Sequence, residues 1–129
     1  MQYIIMLLIV VMMAVSDIVT GVIKAYATDR PRSKLMRIGG LHKIAEIIVM
    51  ATAIGLEVGV EWLGRYYDAA RLAQIVGGFT AFAVFGFIVA MEIVSVLENY
   101  AAINPDAAWV AKIIGKLKPE KKKEDEEHD

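Results

Sequence analysis

Residues 72–97 read LAQIVGGFTAFAVFGFIVAMEIVSVL, and Glu92 is the one ionisable side chain in that stretch. A helix of about 20 mostly apolar residues crosses a hydrocarbon core of about 30 Å, so the run predicts a membrane span. It also contains a carboxyl group that lipid disfavours. The same contradiction occurs twice more, in Tyr3–Tyr26, which holds Asp17, and in Ile44–Leu63, which holds Glu57. A soluble core helix is usually shorter and keeps a broad polar face. The three runs therefore predict an all-α integral membrane protein with three transmembrane helices, over about 3–26, 44–63 and 72–97.

Composition supports that class. With 57% hydrophobic residues among 129, and a mean hydropathy of +0.52, too little polar surface remains for a soluble domain of this size. A net charge of -1 argues against a nucleic-acid partner. The chain has no cysteine, which removes thiol catalysis, disulfides and thiolate metal sites. Its two histidines, His42 at a span boundary and His128 in the tail, cannot form a cluster within one chain.

Charge distribution sets the expected orientation. Arg30, Arg32, Lys34, Arg37 and Lys43 lie between the first two runs, and Lys112, Lys116, Lys118 and Lys121 to Lys123 follow the third. Both segments are expected in the cytoplasm, because cytoplasmic loops carry the excess of Lys and Arg. The second loop, with Arg65 and Arg71, is expected outside together with the uncharged N-terminus. Ala14-Val15-Ser16 resembles a signal-peptide cleavage site, but no cation precedes it and apolar character resumes at Ile18, so an uncleaved span is expected. Gly39-Gly40 reads as a loop hinge.

At 100° per residue the acids fall on defined faces. Asp17 shares one with Gly21 and Lys24. Glu46, Ala53, Glu57, Glu61 and Gly64 form a stripe on the second run, and Gln74, Gly78, Ala81, Phe85, Ile88, Glu92, Ser95 and Asn99 form one on the third. Ionisable residues within spans normally face a bundle interior or a wet cavity. Asp17, Lys24, Glu57, Glu92, Ser95 and Asn99 are thus candidates for intramembrane polar contacts or a pore lining. Gly55 and Gly59 form a GxxxG, and Gly77 with Ala81 and Gly86 with Ala90 repeat the small-xxx-small spacing that permits close helix contact. Because Glu57 sits inside the GxxxG, a close interface there is expected to bury its carboxyl group.

The remainder divides at Asn104-Pro105-Asp106, a stop followed by a helix start. Residues 1–105 form the transmembrane region, and 106–117 form a short amphipathic helix carrying Trp109, Val110, Ile113, Ile114 and Leu117 opposite Lys112 and Lys116. Asn104 or Asp106 is the expected N-cap, and the composition suits the cytoplasmic leaflet surface. Residues 118–129 are a charged tail with nothing apolar to bury, expected to be disordered. No catalytic set, phosphate loop or metal-ligand spacing appears, so neither an enzyme nor a cofactor is expected.

Two blocks carry a resemblance. Asp17-Ile-Val-Thr20-Gly21-Val-Ile-Lys24-Ala25, then Ser33-Lys34 leading to Gly40-Leu41-His42-Lys43, and Glu92-Ile-Val-Ser95-Val-Leu-Glu98-Asn99 before Pro105 resemble the toxin-secretion and phage-lysis holin family. The resemblance covers about Met12 to Pro105. It implies a homo-oligomer in the bacterial cytoplasmic (host inner) membrane that forms lesions for endolysin, or in some relatives a toxin, without binding that cargo directly. Two features depart from the family pattern. Leu35-Met36-Arg37-Ile38 is less glycine-rich, and no cations or paired starts precede the first span, so a dual-start timing antagonist is not expected. Read without the resemblance, the residues fit a small oligomeric ion channel or an accessory subunit of a membrane complex equally well.

Overall fold

The computed structural model describes residues 1–30, 33–77 and 80–118. Five helices follow in order: α1 (Gln2–Ala27), α2 (Ser33–Tyr66), α3 (Ala70–Gly77), α4 (Thr80–Ile103) and α5 (Ala108–Leu117). Helices α1, α2 and α4 form a three-helix bundle in which α2 runs antiparallel to the other two. Tyr3 meets Glu57 at one end, and Asp17 meets Lys43 towards the other.

A seven-residue repeat builds the seam. Tyr3, Val10 and Asp17 on α1 face Glu57, Met50 and Lys43 on α2, and α4 contributes Ala81, Ile88 and Ser95 beside Phe85, Glu92 and Asn99. Such spacing keeps one face of each helix turned to its neighbours, as in left-handed bundles. Val10, Met50, Ala81 and Ile88 make the buried apolar centre. The outward surface is also apolar: Ile4, Leu8, Met12, Val19, Ile48, Leu56, Phe82 and Phe87 are all exposed. Charged groups inside and aliphatic groups outside invert the soluble arrangement. Hydroxyls that would meet lipid bond to their own helices, Ser16 to Met12 O and Thr52 to Ile48 O, at 2.9 and 2.8 Å.

Helices α1 and α2 stop in the same way. Beyond α1, Arg30 N–H donates to Ala25 O at 3.0 Å and Asp29 N–H to Tyr26 O at 3.3 Å. Beyond α2, Ala69 N–H donates to Gly64 O at 2.7 Å and Asp68 N–H to Arg65 O at 3.4 Å. Each is a Schellman closure, and the left-handed position belongs to Asp29 (φ 53°) or Asp68 (φ 55°) rather than to glycine. Aspartate tolerates this conformation better than most residues.

Several expectations change. Helix α2 begins at Ser33, so Gly39 and Gly40 lie within a helix and form no loop hinge, and Lys43 is helical rather than a loop charge. Two stretches, Gln2–Ala27 and Ala70–Ile103, are long and apolar enough to cross a membrane. The Ile44–Leu63 run is not one of them, since α2 carries Lys43, Glu46, Glu57 and Glu61 along its length. Helix α4 continues past Leu97 to Ile103, adding more than a turn to the expected third run. Helix α5 starts from Ala107 with no side-chain cap, so neither Asn104 nor Asp106 caps it. Val110 is fully buried and the Trp109 ring lies 6.0 Å from that of Tyr100, fixing α5 to the end of α4. Gly78 and the tail beyond Lys118 lie outside the described residues.

Candidate functional site

The bundle holds two polar layers separated by the apolar centre. The larger layer gathers residues from three helices. Lys43 Nζ lies 2.8 Å from Asp17 Oδ2, donates to Glu92 Oε1, and sits 3.5 Å from Glu46 Oε2. Asp17, Lys43 and Glu92 each stand about ten residues, roughly 15 Å, in from the helix ends that meet there. Glu92 is almost completely enclosed, with 1% of its side chain exposed.

This layer is short of cations. Three carboxyl groups, from Asp17, Glu46 and Glu92, surround the single Lys43 ammonium. Glu92 Oε2 and Glu46 Oε2 are buried without a hydrogen-bond partner among the described residues. An incompletely satisfied charged network in a dry interior is costly, and water would relieve it.

A polar step continues from there towards the helix ends. Asn99 Nδ2 donates to Asp17 Oδ1 at 2.9 Å and to Thr20 Oγ1 at 3.1 Å, and its Oδ1 accepts from Lys24 Nζ at 3.5 Å. Gly21 lies against Asn99, where an added Cβ would make an ordinary contact with Nδ2 at 3.7 Å. Ser95 lies one turn beyond Glu92, partly buried. Glu98 turns outward to Lys118.

The second layer is smaller and fully paired. Tyr3 Oη donates to Glu57 Oε1 at 2.9 Å, and the Ala81 backbone N–H donates to Glu57 Oε2 at 2.8 Å. Ala81 belongs to the first turn of α4, whose N–H groups lack helical partners, so Glu57 acts as a cap supplied by another helix. Gly77 packs against the same part of α2, where an added Cβ would lie 3.4 Å from Val60 Cγ1.

The face arithmetic therefore gathered Asp17, Lys24, Glu92 and Asn99 at one level and Glu57 at the other. The GxxxG reading changes. Gly55 and Gly59 point away from the bundle, opposite Glu57, and a Cβ at either meets nothing within 4 Å. Burial of Glu57 thus owes nothing to the GxxxG. Gly86 is likewise open and Ala90 half-buried, whereas Ala81 is fully buried. Lys43 and Tyr3 are the residues sequence reasoning missed. Continuing the α2 stripe one turn beyond Glu46 reaches Lys43. Tyr3, at the start of the first run, carried no separate signal.

This chain belongs to the bacteriophage holin family, whose model matches residues 1–119. The family comprises non-enzymatic membrane-lysis proteins, and the two long apolar helices of this chain fit a membrane protein. No curated protein and no solved structure matches it significantly.

Proposed function

We propose that this holin spans the bacterial cytoplasmic membrane three times, with its N-terminus outside and its C-terminus in the cytoplasm, and assembles with copies of itself into lesions that release endolysin. The observation that carries the reading is the cation-poor Asp17–Lys43–Glu92 cluster, enclosed by helices whose outer faces are aliphatic. In the resting membrane each chain hides these groups within its own bundle. As copies accumulate, the bundles open towards one another, and hydration of the buried carboxylates favours a wet lumen over dry packing.

The third crossing is supported by where α2 directs its charges. Lys43 and Glu57 are buried and Glu46 leans into the cluster, while Ile44, Ile48, Leu56 and Leu63 face outward. Glu61 pairs with Arg65 at 2.6 Å near the helix end. Helix α2 carries charges along its length yet offers lipid an apolar face. Outward Gly55, Gly59 and Gly86 are available for contact between copies. Loss of the membrane potential accompanies opening, since moving one charge through the field involves about 2.3 kcal/mol per 100 mV.

The test is expression of the chain alone in a bacterium that also makes a cytosolic muralytic enzyme. Abrupt loss of viability with wall degradation is the expected outcome. Depolarisation without enzyme escape would mean an ion channel, and growth without either would mean an accessory or scaffold role.

A further inference from the structure

A cleft of about 890 Å³ opens between the last turns of α1, the first turns of α2 and the end of α4. Asp17 and Lys43 of the ion cluster are part of its lining. The lining is mixed in chemistry: Ile18, Val22, Leu35 and Met36 are apolar, and Lys24 and Arg30 are cationic. Both acids in the lining are already engaged. Asp17 is held by Lys43 and Asn99, and Glu98 by Lys118. Lys24 makes one long contact, 3.5 Å to Asn99 Oδ1, and neither Lys24 nor Arg30 has a carboxylate partner among the described residues.

The α2 wall is set back by Gly39 and Gly40. Neither has a positive φ, and an added Cβ would meet nothing within 4 Å at either. Two adjacent glycines weaken a helix, and no backbone conformation or close packing requires them here. What they leave is room. A half-exposed apolar lining beside two cations that have no carboxylate partner among the described residues matches an amphiphile with an anionic head, and a small free anion would leave that lining unused.

We propose that this cleft binds one anionic phospholipid, its phosphate between Lys24 and Arg30 and an acyl chain along Ile18, Val22, Leu35 and Met36. The proposal rests on the membrane-spanning reading above, which sets this end of the bundle at the cytoplasmic leaflet. Occupancy would tie α1 to α2 beside the ion cluster and so couple lipid composition to the closed bundle.

Native mass spectrometry of the full chain in detergent tests it, with phosphatidylglycerol and phosphatidylcholine titrated separately and inorganic phosphate added as a competitor. Retention of phosphatidylglycerol about tenfold or more over phosphatidylcholine is expected, undisturbed by phosphate. The Lys24→Gln/Arg30→Gln double variant should lose that preference, and Gly40→Leu, at a lining position where an added Cβ meets nothing within 4 Å, should lose retention of phosphatidylglycerol while keeping its helix content. Equal retention of the two lipids, displacement by inorganic phosphate, or a double variant that keeps the preference would each overturn the proposal. The assay needs no lysis. Selective lipid binding without enzyme release in cells would sink the lesion function and leave the cleft standing, and the reverse result would do the opposite.

Discussion

Lys43 holds the bundle together by meeting carboxylates from α1 and α4 at once, with Asp17 Oδ2 2.8 Å away and Glu92 fully enclosed beside it. Removing one member of a buried charge set leaves its partners uncompensated, which typically costs about 3–5 kcal/mol. Lys43→Met should therefore lower the melting temperature in detergent markedly and advance lysis. Adding Glu92→Gln should recover part of that loss, since a double-mutant cycle reads the pair's coupling. Additive melting losses would mean that Lys43 and Glu92 act independently. Tyr3→Phe removes a single hydrogen bond to Glu57 and should cost less, about 1–3 kcal/mol, by the same melting measurement. At this scale the sequence was partly legible. Acids inside apolar runs are conspicuous, and helical spacing gathers them. A lysine next to a basic loop looks like a topology signal, so its inward turn stayed hidden until α2 was seen to start at Ser33.

Among the elements, α2 and its turn into α3 carry the tightest geometry. A Cβ at Gly64 would lie 2.2 Å from Ala73 Cβ, and Ala69 O is 3.3 Å away, so something there must shift. Gly64→Ala should destabilise the fold by about 1–3 kcal/mol. Gly59→Ala, with open space around it inside α2, should raise stability by about 0.5–1 kcal/mol and reduce cross-linking between copies. Unchanged cross-linking would remove this face from the assembly. Asp68→Gly, at φ 55°, should raise stability by about 1 kcal/mol, because glycine adopts the left-handed conformation without a Cβ penalty. Helix positions were well marked by the apolar runs, and α1 matches its run almost to the residue. The start of α2 was not marked. Its first turns, with Lys34, Arg37 and two glycines, look like a loop, and tertiary contact outweighs that local preference. The αL ends at Asp29 and Asp68 were also obscure, since the usual sign of such a stop is glycine.

The whole molecule is an apolar shell around two polar layers, and its topology depends on α2. With three crossings, Tyr66→Cys should react with an impermeant thiol reagent in intact cells and Leu117→Cys only after permeabilisation. Two crossings would reverse that pattern. Because the natural chain has no cysteine, each introduced thiol reports alone. Apolar runs disclose membrane class, whereas the inside of the bundle depends on which faces meet, and that emerges only from packing. The central claim is that the faces buried within one resting chain become the lumen of the lesion. The most direct measurement compares Val10→Cys, fully buried between the polar layers, with Leu8→Cys, 62% exposed on the outer face. With impermeant reagent present across the onset of lysis, Val10→Cys should be silent before and labelled after, and Leu8→Cys silent throughout. A Val10→Cys chain that lyses cells fully and stays unlabelled would contradict the account.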